Sequence, residues 1–281
     1  MTRPIVIDRM TKLWMLCLFS AATEWISADE PVAKDMSESA RMNRLLDRSV
    51  QPFRLAPVGE RYQSVQSLPV LRWTNDVRDS HSLGVLVLWI DRGRPVAAVA
   101  TYVWDGKIMH EFDSLAREQF SVQDESRVVW ESKKELPYTP FPNAPEVDAT
   151  EAGRLRQMKG MASQFAVTML GWRRDLSDKE LLRRMPRELY RYKPQSIDCL
   201  DGALFTFALG TDPEAILSIE AIKANDRTEW QYAFVRQTSG GLEARLNDQI
   251  VWQAEPHPIR NETTGQGRTI VSQLVISKEL E

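Results

Sequence analysis

The sequence predicts an α+β fold in which antiparallel β-meanders are packed by a few helices, with a helix-plus-meander unit used twice. Three observations lead to it. Leu83-Gly84-Val85-Leu86-Val87-Leu88-Trp89-Ile90 is apolar without alternation, which suits a strand covered on both faces. Asp105-Gly106 and Asn247-Asp248 each separate two strand-like runs, and such pairs tolerate the positive φ of two-residue hairpins. From Asp148 onward, Leu155, Met158, Ala162, Phe165 and Met169 recur at helical spacing.

The N-terminus comes first. Arg3, Arg9 and Lys12 precede an apolar run from Leu13 to Ala22, and small residues follow at Ser20-Ala21-Ala22 and at Ala28. This is the pattern of a secretory signal over 1–28, cut after Ala22 or after Ala28. The apolar run is about half of the roughly 20 residues that a membrane-spanning helix needs. Trp14-Met15-Leu16 is a poor match to a lipoprotein box, so Cys17 is not expected to carry lipid. The alternative is a buried N-terminal helix.

Residues 29–136 read as the first half. An amphipathic helix is expected over 33–50, with Ala40, Leu45 and Leu46 on its apolar side. From 51 to 82 the chain reads as polar and irregular, apart from Val70-Leu71-Arg72-Trp73. The apolar strand then leads through the Asp91-Arg92-Gly93-Arg94-Pro95 turn into Val96–Trp104, back along Lys107–Phe112, and on to Val128-Val129-Trp130. Residues 137–147 are a linker, since four prolines fall within 137–145 and suit neither a helix interior nor a central strand.

Residues 148–281 form the second half. Asp148 is the expected cap of a helix running to 169, with Glu151 three residues on. An arginine-rich stretch covers 172–195. Strands are expected at Ala203–Leu209, Ala215–Ile222, Trp230–Arg236, Leu242–Leu246, Ile250–Trp252 and Thr269–Ile276. Gly240-Gly241 and Asn247-Asp248 mark tight turns among them.

The two halves align. Gly84 precedes Pro95 by eleven residues, and Gly202 precedes Pro213 by eleven. Arg72-Trp73 lies upstream of the first glycine and Arg191-Tyr192 upstream of the second. The plain alternative is that glycine and proline punctuate all strand–turn–strand units alike. Duplication requires Gly84 and Gly202 to occupy corresponding elements.

Arg72-Trp73-Thr74-Asn75, Gly93-Arg94-Pro95, His110-Glu111-Phe112-Asp113-Ser114-Leu115, Leu189-Tyr190-Arg191-Tyr192, Asp201-Gly202-Ala203-Leu204-Phe205 and Gly210-Thr211-Asp212-Pro213-Glu214 together resemble a family of uncharacterised exported proteins from planctomycete bacteria. The likeness covers most of residues 70–255. It implies export and a bacterial source, and it carries no activity or catalytic residue.

Composition narrows the function. Residues 1–28 hold three basic and two acidic side chains, so their removal moves the formal net charge from -3 to -4. A mildly acidic chain has no electrostatic reason to bind nucleic acid. No later segment reads as transmembrane. One cysteine, Cys199, remains after residue 28, so no internal disulfide can form in the mature chain.

Candidate chemistry is sparse. His110-Glu111-x-Asp113 is the densest polar cluster on a strand. Alternation sends His110 to one face and Glu111 with Asp113 to the other, their backbones roughly 6–7 Å apart. Such a pair can serve acid–base work on a glycosidic bond; an ordinary polar strand face looks the same. His81, His110 and His257 are scattered, so no metal or other cofactor is expected. Cys199 reads as a buried thiol. No G-x-S-x-G elbow is present, and Gly210-Thr211-Asp212-Pro213 reads as a turn.

Arg173 and Arg174 open a basic segment with Arg183, Arg184, Arg187 and Arg191, which is either an anion patch or a solvated face interleaved with acids. Trp89, Trp104, Trp130, Trp230 and Trp252 lie in or beside strands. Each is a sugar-stacking platform if exposed, or core if buried, with Trp89 and Trp104 the binding candidates.

The expected function is a non-catalytic exported protein with a binding or structural role toward an envelope or extracellular partner. The alternatives are an exported hydrolase whose carboxylates converge from distant segments, with Glu111 and Asp113 first, and a carbohydrate-binding protein using exposed tryptophans.

Overall fold

The structure, a computed structural model, describes residues 29–57, 65–75, 82–104, 106–124, 127–132, 135–171, 178–194, 198–224, 227–256 and 269–274. Glu38–Glu281 form one compact unit and Met1–Ser37 another. The predicted signal over 1–28 lies outside the described residues, as do His81, Arg173, Arg174 and His257.

The first half opens with α1 (Asp29–Ser49), then β1 (Phe53–Pro57), β2 (Gln66–Asn75), β3 (Ser82–Asp91), β4 (Arg94–Trp104), β5 (Lys107–Ser114), β6 (Phe120–Asp124) and β7 (Arg127–Glu131). A short β8 (Thr139–Pro140) follows. The second half runs through α2 (Glu151–Ala162), β9 (Phe165–Leu170), β10 (Lys179–Leu181), β11 (Arg183–Arg184), β12 (Tyr190–Tyr192), β13 (Cys199–Leu209), β14 (Asp212–Ala224), β15 (Arg227–Arg236), β16 (Gly241–Leu246), β17 (Gln249–Ala254) and β18 (Thr269–Leu274). The described fold is thus mostly antiparallel sheet with two helices, consistent with the α+β expectation.

Two larger sheets carry the molecule. One is ordered β18-β5-β4-β3-β2, the other β11-β13-β14-β15-β8, with β12 also pairing β13. Two smaller sheets are β1-β6-β7 and β10-β9-β16-β17. The two-residue hairpins form where turn chemistry places them. Arg92 and Gly93 have φ of 48° and 81°, and Asn247 and Asp248 of 49° and 66°, as the right-handed twist of paired strands demands.

The unbroken apolarity of β3 has a direct cause. Val85, Val87 and Trp89 enter a core with Leu46, Phe53, Phe112 and Trp130. Leu86, Leu88 and Ile90 enter a second core that reaches Tyr192, Leu204, Ile216 and Val235 of the other large sheet. The far side of that sheet packs Phe205, Phe207 and Leu217 against Met158, Phe165 and Leu242 in a third core. The seam between the two large sheets is therefore continuous apolar packing, interrupted by a few buried polar groups.

Several expectations need correction. The helix predicted to 169 ends at Ala162, and Phe165–Leu170 is a strand whose buried residues Phe165, Val167 and Met169 alternate. The same apolar residues fit both periods, and pairing with β16 decides for the strand. The cap is Thr150, whose hydroxyl accepts from Gly153 N–H at 3.0 Å; Asp148 instead accepts from Thr150 N–H at 2.7 Å. Within 51–82, Phe53–Pro57 and Gln66–Asn75 are strands, and β2 is an edge strand whose described side chains are exposed or half-buried apart from the buried Trp73. β1 pairs with β6, far along the chain, and no local pattern announced it; β2 contains the strand-like Val70-Leu71-Arg72-Trp73 and extends it at both ends against β3.

Gly240-Gly241 is not a hairpin turn. β15 and β16 belong to different sheets, and the crossover is held by the Arg236 guanidinium, which donates to the Thr238, Gly240 and Glu255 carbonyls at 2.7–2.9 Å. The proline-rich segment is docked in part: Thr139 and Pro140 pair with Tyr232 and Gln231, and Phe141 is buried in the third core.

Some pairings recur in the two parts of the chain, though β10 and β11 of the second have no counterpart among the described strands of the first. β1 pairs β6 and β6 pairs β7; β9 pairs β16 and β16 pairs β17. Trp73 faces Gly84 and Tyr192 faces Gly202. A bulge then falls between Trp89 and Ile90, and another between Phe207 and Ala208, each just before the residue that pairs with Pro95 or Pro213. β8, after the first half, extends the sheet edge at β15; β18, after the second, extends the edge at β5.

Candidate functional site

The strand β14 carries an acid where its neighbours are apolar. Alternation places Ser218 and Glu220 toward the seam, while Leu217, Ile219 and Ala221 face the third core. Glu220 is fully buried. A lone carboxylate there would be strongly disfavoured, so its partners matter.

Those partners converge from five other segments. Arg94, at the start of β4, donates to Oε1 at 2.5 Å. Arg117, after β5, donates to Oε2 at 2.7 Å. The Tyr192 hydroxyl donates to Oε1 at 2.7 Å and the Tyr138 hydroxyl at 3.2 Å. The Gln231 amide donates to Oε2 at 2.9 Å. Tyr138 and Tyr192 hydroxyls also lie within 3.0 Å of Ser218 Oγ. The Arg117 guanidinium stacks over the Tyr138 ring, 4.6 Å from its centroid.

Electrostatics follow from this packing. Burial pushes the Glu220 carboxyl upward, but Arg94, Tyr192 and Arg117 outweigh it and hold the group below its ordinary value. Burial, then Glu220, pushes both tyrosine hydroxyls well up, so they remain donors throughout the ordinary pH range. Burial acts against the Arg94 charge, yet the ionised Glu220 beside it favours the charged form and the net shift is upward.

The cluster borders a cavity of about 480 Å³, lined by Arg117, Glu135, Leu136, Pro137, Tyr138 and Gln231. Arg117, Tyr138 and Gln231 thus bond Glu220 on one side and face open space on the other. A second buried carboxylate, Asp201, accepts from Arg154 Nε at 2.8 Å and from Arg191 at 2.6 Å. Arg154 also donates to the Asp148 and Ala149 carbonyls, so this cluster ties α2 to β12 and β13.

The sequence candidates are distributed differently. His110, Glu111 and Asp113 are all buried on β5. His110 sits against Phe53, rings 4.9 Å apart, with Nδ1 3.1 Å from Thr101 Oγ1. Glu111 accepts from the Tyr102 hydroxyl at 2.8 Å, and Asp113 accepts from the Gln237 amide at 2.7 Å. The expected separation of His110 from the two acids holds, and both acids are enclosed and bonded.

Trp89 is buried at 3 % exposure, so it is core and not a platform. Trp130 and Trp230 are buried too, Trp252 stacks on Phe234, and Trp104 is 47 % exposed at the end of β4. Cys199 is buried, and burial raises its thiol to about 12. In the arginine segment, Arg191 belongs to the Asp201 cluster, and Arg183 donates to the Gly210 carbonyl.

Sequence reading missed Glu220, Arg94, Arg117, Tyr138 and Gln231 as a group. One signal was present: Ser218 and Glu220 on alternate positions of an otherwise apolar strand. No family model, curated protein or solved structure matches the chain.

Proposed function

We propose that the chain is an exported, non-catalytic binding protein, built by duplication of a helix-plus-meander unit, with its binding site at the cavity beside Glu220. One observation carries the site: an ionised, fully buried carboxylate consumes donors from five side chains, three of which also line the cavity. A carboxylate so neutralised is a poor proton donor or acceptor, but it locks Arg117, Tyr138 and Gln231 in place. Preorganised walls of this kind favour binding, because little side-chain freedom remains to be lost.

The duplication is supported by the recurring pairings and the matching bulges. It adds weight to the site. Gly84 pairs with Tyr102 where Gly202 pairs with Glu220, so the same strand pair forms without a carboxylate at that position. Export is supported by the leader-like residues 1–28 and by the family resemblance. The hydrolase alternative loses support from Glu111 and Asp113, both enclosed and bonded, and the sugar-platform alternative from the burial of Trp89.

A screen of glycans, peptides and small metabolites against the protein tests the reading. Saturable binding weakened by substitutions at the cavity is expected. Turnover of chromogenic glycoside, ester or peptide substrates that survives repurification would sink it. N-terminal sequencing of material from the culture medium or periplasm tests export, and a retained Met1 on protein found only inside the cell would overturn it.

A further inference from the structure

We infer that the cavity beside Glu220 takes a small uncharged ligand by a primary carboxamide or lactam edge, whose carbonyl accepts from Arg117 and whose N–H donates to Gln231; this rests on the cavity being the binding site. Glu220 fixes both partners. Arg117 Nη2 and Gln231 Nε2 donate to the same oxygen, Glu220 Oε2, at 2.7 and 2.9 Å, so the two side chains lie next to each other. A carboxylate only accepts, so the Gln231 amide must turn its nitrogen to Glu220 and its oxygen away.

What each side chain has left faces outward. Gln231 Oε1 and Arg117 Nη1 meet no partner among the described residues, and neither is sealed in as Arg117 Nε is. Both residues line the cavity. Its wall therefore carries a donor beside an acceptor, on side chains already held in place by Glu220, with Arg117 also stacked on the Tyr138 ring. The complement is an acceptor beside a donor on one rigid edge. A primary carboxamide or a lactam has such an edge, because its C=O and an N–H lie on the same side. A trans peptide group has none, since its N–H and C=O point in opposite directions. Charge agrees with this choice. The lining is mainly polar and holds one cation and one anion, Arg117 and Glu135, so no net charge on the wall calls for an ion. A carboxylate would set its second oxygen against Gln231 Oε1, acceptor against acceptor.

The test is a ligand-observed nuclear magnetic resonance titration of the full chain with nicotinamide, nicotinate and N,N-dimethylnicotinamide at neutral pH. The three share one ring and differ at the edge. Nicotinamide should bind saturably. The acid and the dimethyl amide both lack the N–H, and each should bind about tenfold or more weaker, the usual cost of leaving a polar partner unmet. This comparison needs no substitution, so it does not depend on a variant folding. Arg117→Lys keeps a cation for Glu220 and loses the second nitrogen; it should weaken nicotinamide by about tenfold. Pro137→Trp narrows the exposed mouth away from the ion pairs, and it should weaken nicotinamide with the melting midpoint unchanged. No saturable nicotinamide binding overturns the inference, as does nicotinate or the dimethyl amide binding as tightly. Nicotinamide binding that ignores Arg117→Lys or Pro137→Trp overturns it too. A screened ligand without an amide edge that binds more tightly than any amide, and weakens with Pro137→Trp, overturns the inference and leaves the cavity reading standing.

Discussion

At the scale of single residues, Glu220 is where charge and packing meet. Its folded-state carboxyl lies below its ordinary value near 4.5, so the ionised form is the one the fold prefers. The stability this contributes is fully present above about pH 4.5 and is lost as pH falls through the lower, folded value. Acid titration of stability should therefore show a decline that begins below about pH 4.5 and is shallower in Glu220→Gln. At neutral pH that variant leaves Arg94 and Arg117 without their counter-charge. A loss of about 3–5 kcal/mol is expected in urea unfolding, the usual cost of breaking a buried pair from one side. An unchanged midpoint would show that the cluster contributes nothing.

Cys199 gives a second residue-scale prediction. Its thiol, buried and raised to about 12, is protonated at neutral pH and out of reach of reagents. Peptide mapping after iodoacetamide treatment should find Cys199 unmodified in the native protein and modified in denaturant. Rapid native labelling would contradict its place in the seam.

At the scale of elements, two glycines do the same work in two sheets. A Cβ on Gly84 would come within 2.2 Å of the Trp73 ring, and one on Gly202 within 2.5 Å of the Tyr192 ring. Each glycine lets a large ring from the neighbouring strand lie across the backbone. Gly84→Ala and Gly202→Ala should each cost about 1–3 kcal/mol by overpacking. Gly84→Ala combined with Trp73→Leu should cost less than the sum of the single changes, since the smaller side chain relieves the contact. Strict additivity would mean that the ring and the glycine are independent.

At the scale of the molecule, the seam joins the two halves through Leu86, Leu88 and Ile90 on one side and Leu204, Ile216 and Val235 on the other. β8 and β18 reinforce it by crossing to the opposite half's sheet edge. Neither half can keep its seam face covered when the other unfolds. Residues 38–281 should therefore unfold in a single transition, with near- and far-ultraviolet circular dichroism coincident. Two resolved transitions would show that the halves are energetically separate. Folding is expected to be slow, because most pairings are non-local.

The sequence by itself determined what depends on near neighbours. The hairpin at Asn247-Asp248 and the doubly covered strand at 83–90 are local matters of turn chemistry and periodicity. The same holds for the common spacing of Gly84 to Pro95 and Gly202 to Pro213. Asp105 of the expected Asp105-Gly106 turn lies outside the described residues. Only the tertiary structure decided whatever needs a distant partner. Phe165–Leu170 became a strand because β16 was there to pair with it, and β1 formed against β6 without an apolar pattern of its own. The candidate site belongs wholly to this second kind. Arg94, Arg117, Tyr138, Tyr192 and Gln231 each read as ordinary where they stand in the chain. They acquire a common purpose because a carboxylate buried in low dielectric must gather its donors from wherever the fold brings them.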